Sequence, residues 1–522
     1  MAMFSTLENI SLILVMINLV IITSNTIVAT NAKSTHPCSP FYAYNYNLVC
    51  DNSTLTLAST DFGGTVHEKP LAVLEPTSVT EISKLIKLSN SLSTPFTIAA
   101  RGQAHSVEGQ AQARDGIVVN MTYLNGYRHG KGIVIVHNEK DAWKSYADVR
   151  GEQLWNDVLN AALEYGLTPL SFTDSLFTSV GGTLVNAGVG AQVFKFGPQI
   201  SNVHELDVVT GKGDLVTCSE KKNSKLFFAS LGGLGQFGII TRARINLGPA
   251  SPKVKWLHLL YSDFSAFHKD QEYLISFNRK SDNAFDAVEG FLMLNQWPNL
   301  LGFFPTQEIP RINSLIAQHG IIYVLELGKY YDNTTQDQID QEIEHLTSGL
   351  KFVPTFKYVQ DVSYQNFLNR YANVGQGLPV QPQSWLDLFV PGSRISDINE
   401  GVFNNILFKQ NLTARGIILV FPMNHTKWND KMSVAIPDEE IFYLVSVLQT
   451  VPANMLKAFD DQKNQILEFC EISNIKIKQY LPRNKTHEEW MEHFGSKWQN
   501  FEDRKNEFDP KRILAPGQRI FN

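Results

Sequence analysis

Apolar positions along the chain fall into two alternating rhythms, and each predicts a different element. Leu71-Ala-Val-Leu74 predicts a short strand. Ser78-Val-Thr-Glu81 has the form of a capping box, and Ile82, Leu85, Ile86 and Leu88 follow at helical spacing. Phe96-Thr-Ile-Ala-Ala100 reads as the next strand and runs into Arg101-Gly102. Gly116-Ile-Val-Val-Asn120 and Gly132-Ile-Val-Ile-Val136 are further strands. Leu154, Trp155, Val158, Leu159, Ala162 and Leu163 line one helix face, with Gly166 in the C-cap position. Leu206 to Thr210, the turn Gly211-Lys-Gly-Asp214 and Leu215 to Thr217 predict a hairpin, and Ile239 to Ile245 alternates as a strand. The turn-rich Gly248-Pro-Ala-Ser-Pro252 marks a domain boundary. Beyond it strands mix with helices, one of them carrying Ile339, Ile343, Leu346 and Leu350. Trp490, Phe494, Trp498 and Phe501 form the apolar stripe of a last helix, which Phe508-Asp-Pro510 ends; Pro516-Gly517-Gln518 is a closing turn.

Composition narrows the class. The 522 residues are 43% apolar and 18% charged with a net charge of −6, which describes a globular chain of several domains. No basic block is present, so nucleic acid is not an expected partner. The apolar run from Ile10 to Ile22 is too short to span a bilayer comfortably and predicts a signal peptide over residues 1–32, although no Lys or Arg precedes it. No later segment is long and apolar enough to insert stably in a membrane. The expectation is export to the extracellular space, with the endoplasmic reticulum or a vacuole as the other stations. Export gives meaning to the glycosylation sequons at Asn52, Asn120, Asn333, Asn411, Asn424 and Asn484. It also lets the neighbouring Cys38 and Cys50 pair, while Cys218 and Cys470 read as buried thiols.

Several familiar strings fail on context. Gly233-x-Gly235-x-x-Gly238 matches a dinucleotide fingerprint, but a helical segment precedes it and a strand follows, the reverse of what that motif needs. His487-Glu-Glu-Trp-Met491 lacks the second His of a zinc helix, so no metal site is expected. Arg101-Gly-Gln-Ala-His-Ser106, with Gly109-Gln110, differs: a strand ends in a small-residue loop able to wrap a diphosphate with backbone N–H groups and to hold a His beside a cofactor ring. A surface turn with a satisfied His is the plainer reading of the same residues.

This loop resembles the R-G-x-G-H-S stretch of flavoproteins of the vanillyl-alcohol-oxidase fold. Phe172-Thr-Asp174, Val180-Gly-Gly-Thr-Leu-Val-Asn-Ala-Gly188, Gly197-Pro-Gln-Ile-Ser-Asn-Val203 and Leu231-Gly-Gly-Leu-Gly-Gln-Phe-Gly238 resemble segments of plant cytokinin oxidases/dehydrogenases. Val288-Glu-Gly290, Trp385-Leu-Asp-Leu-Phe-Val-Pro391, Ile436-Pro-Asp-Glu-Glu440 and Lys478-Gln-Tyr-Leu-Pro482 continue the likeness in order, from about residue 60 to the end. The resemblance implies an α+β chain: a two-part FAD-binding domain (about 60–248 and 478–522) with an inserted α/β substrate domain (about 249–477). It implies FAD bound covalently through His105. Ala100, Gly102 and Ala104 are expected to line the diphosphate. Ser106, Gln110, Ser179 and Val185 are expected at the flavin, Ile240 at its adenine end, and Tyr480 and Gln518 as closing groups. Asp174 is the implied base and flavin neighbour, and Glu289 the carboxylate that contacts the substrate adenine.

The implied reaction is oxidative cleavage of the N6 side chain of cytokinins of the isopentenyladenine type, giving adenine and an unsaturated aldehyde. Hydride leaves the carbon beside nitrogen, the nitrogen lone pair stabilises the cation, a base takes the N–H proton, and water hydrolyses the imine. Oxygen or a quinone-like compound is the expected electron acceptor, and a monomer the expected state. Read alone, Asp174 fits a turn residue and Glu289 a strand residue facing solvent. The chain departs from the family pattern at Ala104, Phe172, Ser175, Val185, Gly190-Ala191 and Ala515. These departures leave open a related sugar or alcohol oxidase, or a non-catalytic cytokinin-binding member.

Overall fold

The strands predicted near the start of the chain pair with one another and not with those that follow. In the computed structural model, residues 47–126, 132–277, 284–295, 302–371, 381–482 and 485–521 are described. The expected signal peptide, Cys38 and Asn484 lie outside them. Leu48–Val49, Ala72–Leu74, Ile117–Asn120 and Ile98–Arg101 form a four-stranded sheet, parallel except at its first strand. Its central strands are buried on both faces, which is why they read as unbroken apolar runs. A second sheet joins Ile133–Val136, Tyr146–Arg150, Gly238–Pro249, Val203–Thr210 and Leu215–Ser219, with Leu167–Pro169 added to the long strand. The predicted hairpin is here, as its antiparallel last pair.

The boundary at Gly248 to Pro252 separates sheets. Gly238–Pro249 ends the second, and Lys253–Tyr261 starts an eight-stranded third sheet. Alternate residues of the third sheet pack in opposite directions. Leu257, Leu259, Val288, Leu292, Leu325, Leu327, Leu386 and Leu388 belong to a core shared with the helices Phe264–Ser276, Ile339–Thr347 and Leu456–Ile472. Leu260, Phe291, Val324, Phe389 and Leu444 belong instead to the core of the second sheet. The third sheet therefore has a helix face and a face toward the first half of the chain.

Four local expectations are corrected. Ser78 starts the helix Val79–Ser91 without a side-chain cap, because Glu81 accepts from the N–H and hydroxyl of Thr77 instead. The helix bearing Ile339 ends at Thr347, short of Leu350. The last aromatic stripe belongs to two helices, His487–Phe494 and Trp498–Phe508, broken where Gly495 takes φ 54°. The stripe survives the break, since Phe494 stacks on Phe501 with centroids 4.2 Å apart. Asn424 is buried and donates to the Phe194 carbonyl at 3.1 Å, so its sequon is closed in the folded chain, whereas Asn52, Asn333 and Asn411 are exposed. Cys50 is disulfide-bonded, and Cys218 and Cys470 are buried free thiols.

The C-terminal segment returns to the first half of the chain. Leu514 bridges Ile98 in parallel, and Ile98 N–H donates to the Ile513 carbonyl at 2.8 Å. Buried Lys505 donates to the Gln236 carbonyl at 3.0 Å, to Gln236 Oε1 at 2.7 Å and to the Leu514 carbonyl at 3.2 Å, and pairs with fully buried Asp509 at 2.8 Å. Asp509 in turn accepts from the N–H groups of Ile513 and Leu514. Lys505→Met leaves that carboxylate buried and uncompensated and should cost about 3–5 kcal/mol, read by chemical denaturation.

Candidate active site

The loop after strand Ile98–Arg101 is shaped by close backbone approach. A Cβ at Gly102 would collide with Ser179 Oγ, and one at Gly517 would run into the Gly109, Gln110 and Gln112 carbonyls. Ala104 is buried and takes φ 53°, a conformation that strains an alanine. Among the described residues no acceptor is in place for the backbone N–H groups of Gln103 through Val107. Gln103 Nε2 and Gln518 Oε1 are buried with no partner. A run of free donors beside glycines is what a diphosphate requires, so these residues fit FAD.

His105 leaves this loop and stacks on Phe62 with centroids 4.6 Å apart; Trp385 packs at a tilt against both rings, 5.3 Å from Phe62 and 5.5 Å from His105. Burial holds its pKa below the ordinary histidine value. Ser106 and Gln110 brace the loop in this conformation. Ser106 donates to Asp61 at 2.9 Å, and Gln110 Oε1 accepts from the Glu108 N–H at 3.0 Å. Asp61, absent from the sequence reading, organises the turn by also accepting from the Gly109 N–H at 2.8 Å.

Of the remaining expected residues, Ser179 meets this loop at Gly102. Ala100 is exposed at the end of its strand. Ser179 precedes the short helix Val180–Leu184, and the carbonyl of Val185 just after it accepts from Leu234 N–H at 2.7 Å. The carbonyl of Ile240 lies 3.2 Å from the position of a Cβ on Gly181. Tyr480 reaches over from the C-terminal part: its hydroxyl accepts from Gly188 N–H at 3.1 Å, and its own N–H donates to the Asp387 carbonyl at 3.0 Å.

Asp174 sits on a turn held by the Thr173 and Thr178 hydroxyls, which both donate to the Ser175 carbonyl. Its side chain is 27% exposed, and burial raises its pKa against the pull of Arg370. The solvent-facing reading of Glu289 is overturned: it is fully buried in strand Ala287–Leu294, every residue of which is buried. Its parity puts it on the face toward the first half of the chain. Burial, then the nearby Asp174 carboxyl, raises its pKa well above the ordinary range.

Sequence reasoning missed the groups around these two carboxyls. Arg370 lies just past helix Tyr364–Leu368, only 3% exposed, and reaches Glu289 at 2.5 Å, Glu326, and Asp174 at 4.0 Å. Glu326 also accepts from Tyr371 at 2.6 Å and from Trp256 at 3.1 Å. Asp387, two residues after Trp385 and on its face of the strand, accepts from Ser446 at 2.6 Å, and burial pushes its pKa to about 6. The available signal was a charge inside an apolar run: Glu289 in Ala287–Leu294, Glu326 in Ile321–Tyr331 and Asp387 in Gln383–Pro391. Among the described residues no cluster of His, Cys, Asp and Glu is arranged to hold a metal.

Comparison with known proteins agrees with this architecture. Residues 70–219 match the model of an FAD binding domain, and residues 251–521 match that of cytokinin dehydrogenase 1, FAD and cytokinin binding. Cytokinin dehydrogenase 4 of Arabidopsis thaliana is 48% identical over 92% of this chain and 93% of its own length. Cytokinin dehydrogenase 3 of the same plant is 45% identical over 100% and 99%. Cytokinin dehydrogenase 5 of Oryza sativa subsp. japonica is 45% identical over 91% of both. In fold, the crystal structure of 6-hydroxy-D-nicotine oxidase from Arthrobacter nicotinovorans superposes with a TM-score of 0.64 at 16% identity, covering 90% of this chain and 96% of that one. With its loops, its two-part cradle and these relatives in agreement, the chain belongs to the cytokinin dehydrogenase family and is an FAD-dependent oxidoreductase of the vanillyl-alcohol-oxidase fold.

Proposed function

We propose that the protein cleaves the N6 side chain of isopentenyladenine-type cytokinins oxidatively, releasing adenine and an unsaturated aldehyde. The observation that carries this reading is the Asp174–Glu289 carboxyl pair, buried at the substrate-domain sheet and joined through Arg370 to Glu326. Bound FAD supplies the two-electron acceptor. His105 is its point of covalent attachment: burial keeps the imidazole neutral, the form with a lone pair free to bond. Gly102, Ala104 and the free N–H groups beyond them hold the diphosphate, and Tyr480 and Gln518 close the cradle. Asp174 takes the N–H proton of the substrate amine as the neighbouring carbon is oxidised, and Glu289 orients the adenine. Oxygen or a quinone-like compound reoxidises the cofactor. The monomer is exported, the run Ile10 to Ile22 serving as its signal.

Four outcomes are expected. Anaerobic isopentenyladenine bleaches the flavin bands of the purified protein, and Asp174→Asn slows that bleaching about a hundredfold or more with little change in substrate affinity. Because Asp174 must be ionised to act and its pKa is raised, the bleaching rate falls in acid with a midpoint above the ordinary carboxylate range; a rate flat through that range rejects Asp174 as base. Acid precipitation leaves the flavin in the wild-type pellet and frees it from His105→Ala; wild-type release rejects the covalent bond. Ala104→Gly relieves the positive φ and should add about 0.5–1 kcal/mol of stability, read as a shifted denaturation midpoint.

A further inference from the structure

Glu289 and Glu326 are direct partners across the antiparallel ladder of the third sheet. Like charges placed opposite one another in a buried sheet repel, so the arrangement needs a positive group between them. That group is Arg370. Its Nη2 reaches Glu289 Oε2 at 2.5 Å, its Nε donates to Glu326 Oε1, and its plane lies over the rings of Phe367 at 4.6 Å and Tyr371 at 4.5 Å. One guanidinium thus faces three carboxyl groups, counting Asp174 at 4.0 Å. All three ionised would leave an uncompensated double negative charge in a largely dry wall. Glu289 Oε1 has no N–H or O–H donor among the described residues, yet the Glu289 and Asp174 side chains are in hydrogen-bonding contact, which requires one of the two carboxyl groups to hold a proton.

Among the described residues that face the cluster from other elements, Asp387 alone adds charge. Tyr371 and Trp256 both donate to Glu326. His258, opposite Glu326 on the next strand, is fully buried with both ring nitrogens unpartnered, and burial lowers its pKa to about 4, so it brings no charge. Tyr330 on the strand of Glu326 accepts from Gln192 Nε2 at 3.1 Å, and burial keeps it protonated. Tyr480, also kept protonated by burial, and Asp387, which adds negative charge whenever it ionises, are close enough to interact with Asp174.

We propose that Arg370 is a positioning residue for the proton acceptor: by spanning Glu289 and Glu326 it leaves a single proton shared within the Asp174–Glu289 pair, so that Asp174 stays ionised toward the substrate amine. The idea rests on the reaction proposed above. In that reaction the amine proton passes to Asp174, and water later returns it to solvent; Arg370 gains and loses none.

The test compares wild type, Arg370→Gln, Arg370→Lys and Glu326→Gln as flavin-loaded, full-length proteins. The first readout is the pH profile of anaerobic bleaching by isopentenyladenine. Loss of the positive charge in Arg370→Gln should move the acid limb up by about one pH unit or more, slowing bleaching at least about tenfold at neutral pH with recovery in base. Arg370→Lys keeps the charge and should recover much of the rate. Glu326→Gln removes a negative charge and should move the limb the other way, a reversal that mere loosening of the pocket does not produce. Limbs unmoved in folded, yellow Arg370→Gln and Glu326→Gln overturn the proposal. Should Arg370→Gln fail to fold, the direction of the Glu326→Gln limb decides it.

The second readout needs no turnover. At neutral pH the infrared carbonyl absorption of a buried carboxylic acid should be present in wild type, absent in Glu289→Gln and larger in Arg370→Gln. Wild type that does not bleach with isopentenyladenine overturns the proposed reaction. Wild type that lacks the Glu289-dependent band overturns the shared proton, whatever the substrate.

Discussion

The cradle depends on one buried ion pair. Lys505 and Asp509 are 1% and 0% exposed, and between them they bond the Gly-rich loop at Gln236 to the C-terminal segment at Ile513 and Leu514. Gln236 completes the link by donating to the Ala515 carbonyl at 3.2 Å. A buried ammonium without acceptors is costly, and so is a buried carboxylate without donors. Each is therefore tolerable only when the two distant segments are docked. Docking puts Gly517 against the carbonyls of the His105 loop, where no side chain would fit. The loop, the second Gly-rich segment and the C-terminal turn become one surface because of this pair.

The substrate side is built on a different principle. The central strands of the third sheet are covered on both faces, so their residues must find a buried environment. Apolar residues fill the helix face. The opposite face carries His258, Glu289, Glu326 and Asp387 at positions where alternation directs them toward the FAD domain. Burial then acts on their chemistry: it lifts the carboxyl groups Glu289 and Asp387 and keeps His258 neutral. Perturbed groups gathered at the junction of two domains are what catalysis by proton transfer needs. The departures noted in the sequence are absorbed unevenly. Gly190 is required, since a side chain there would strike the Phe172 carbonyl, while Ala104 and Ala515 hold positive φ without the help of glycine.

Much was legible in the residues alone. Period-two and helical patterns located most strands of the first two sheets and their hairpin, because those elements bury one consistent face or both; Leu48–Val49, Tyr146–Arg150 and Leu167–Pro169 escaped, too few apolar residues being there to set a rhythm. Ordered strings carried the family, the FAD domain and the candidate roles of His105, Asp174 and Glu289. A capping box at Ser78 was legible as a string yet did not form, since Thr77 offered Glu81 two nearer donors. The last helix broke at Gly495, a residue whose conformational freedom no periodicity records.

Only the tertiary structure decided which charges meet. Glu289 and Glu326 are 37 positions apart and Arg370 lies in a segment with no pattern of its own, yet strand register and one loop bring them into contact. Asp61 and Trp385 likewise join the His105 loop from opposite parts of the chain. Local sequence determines local geometry because helices and strands form from near neighbours. Ion pairing, register and burial depend on what arrives from elsewhere, and that is where the proton chemistry of this site was set.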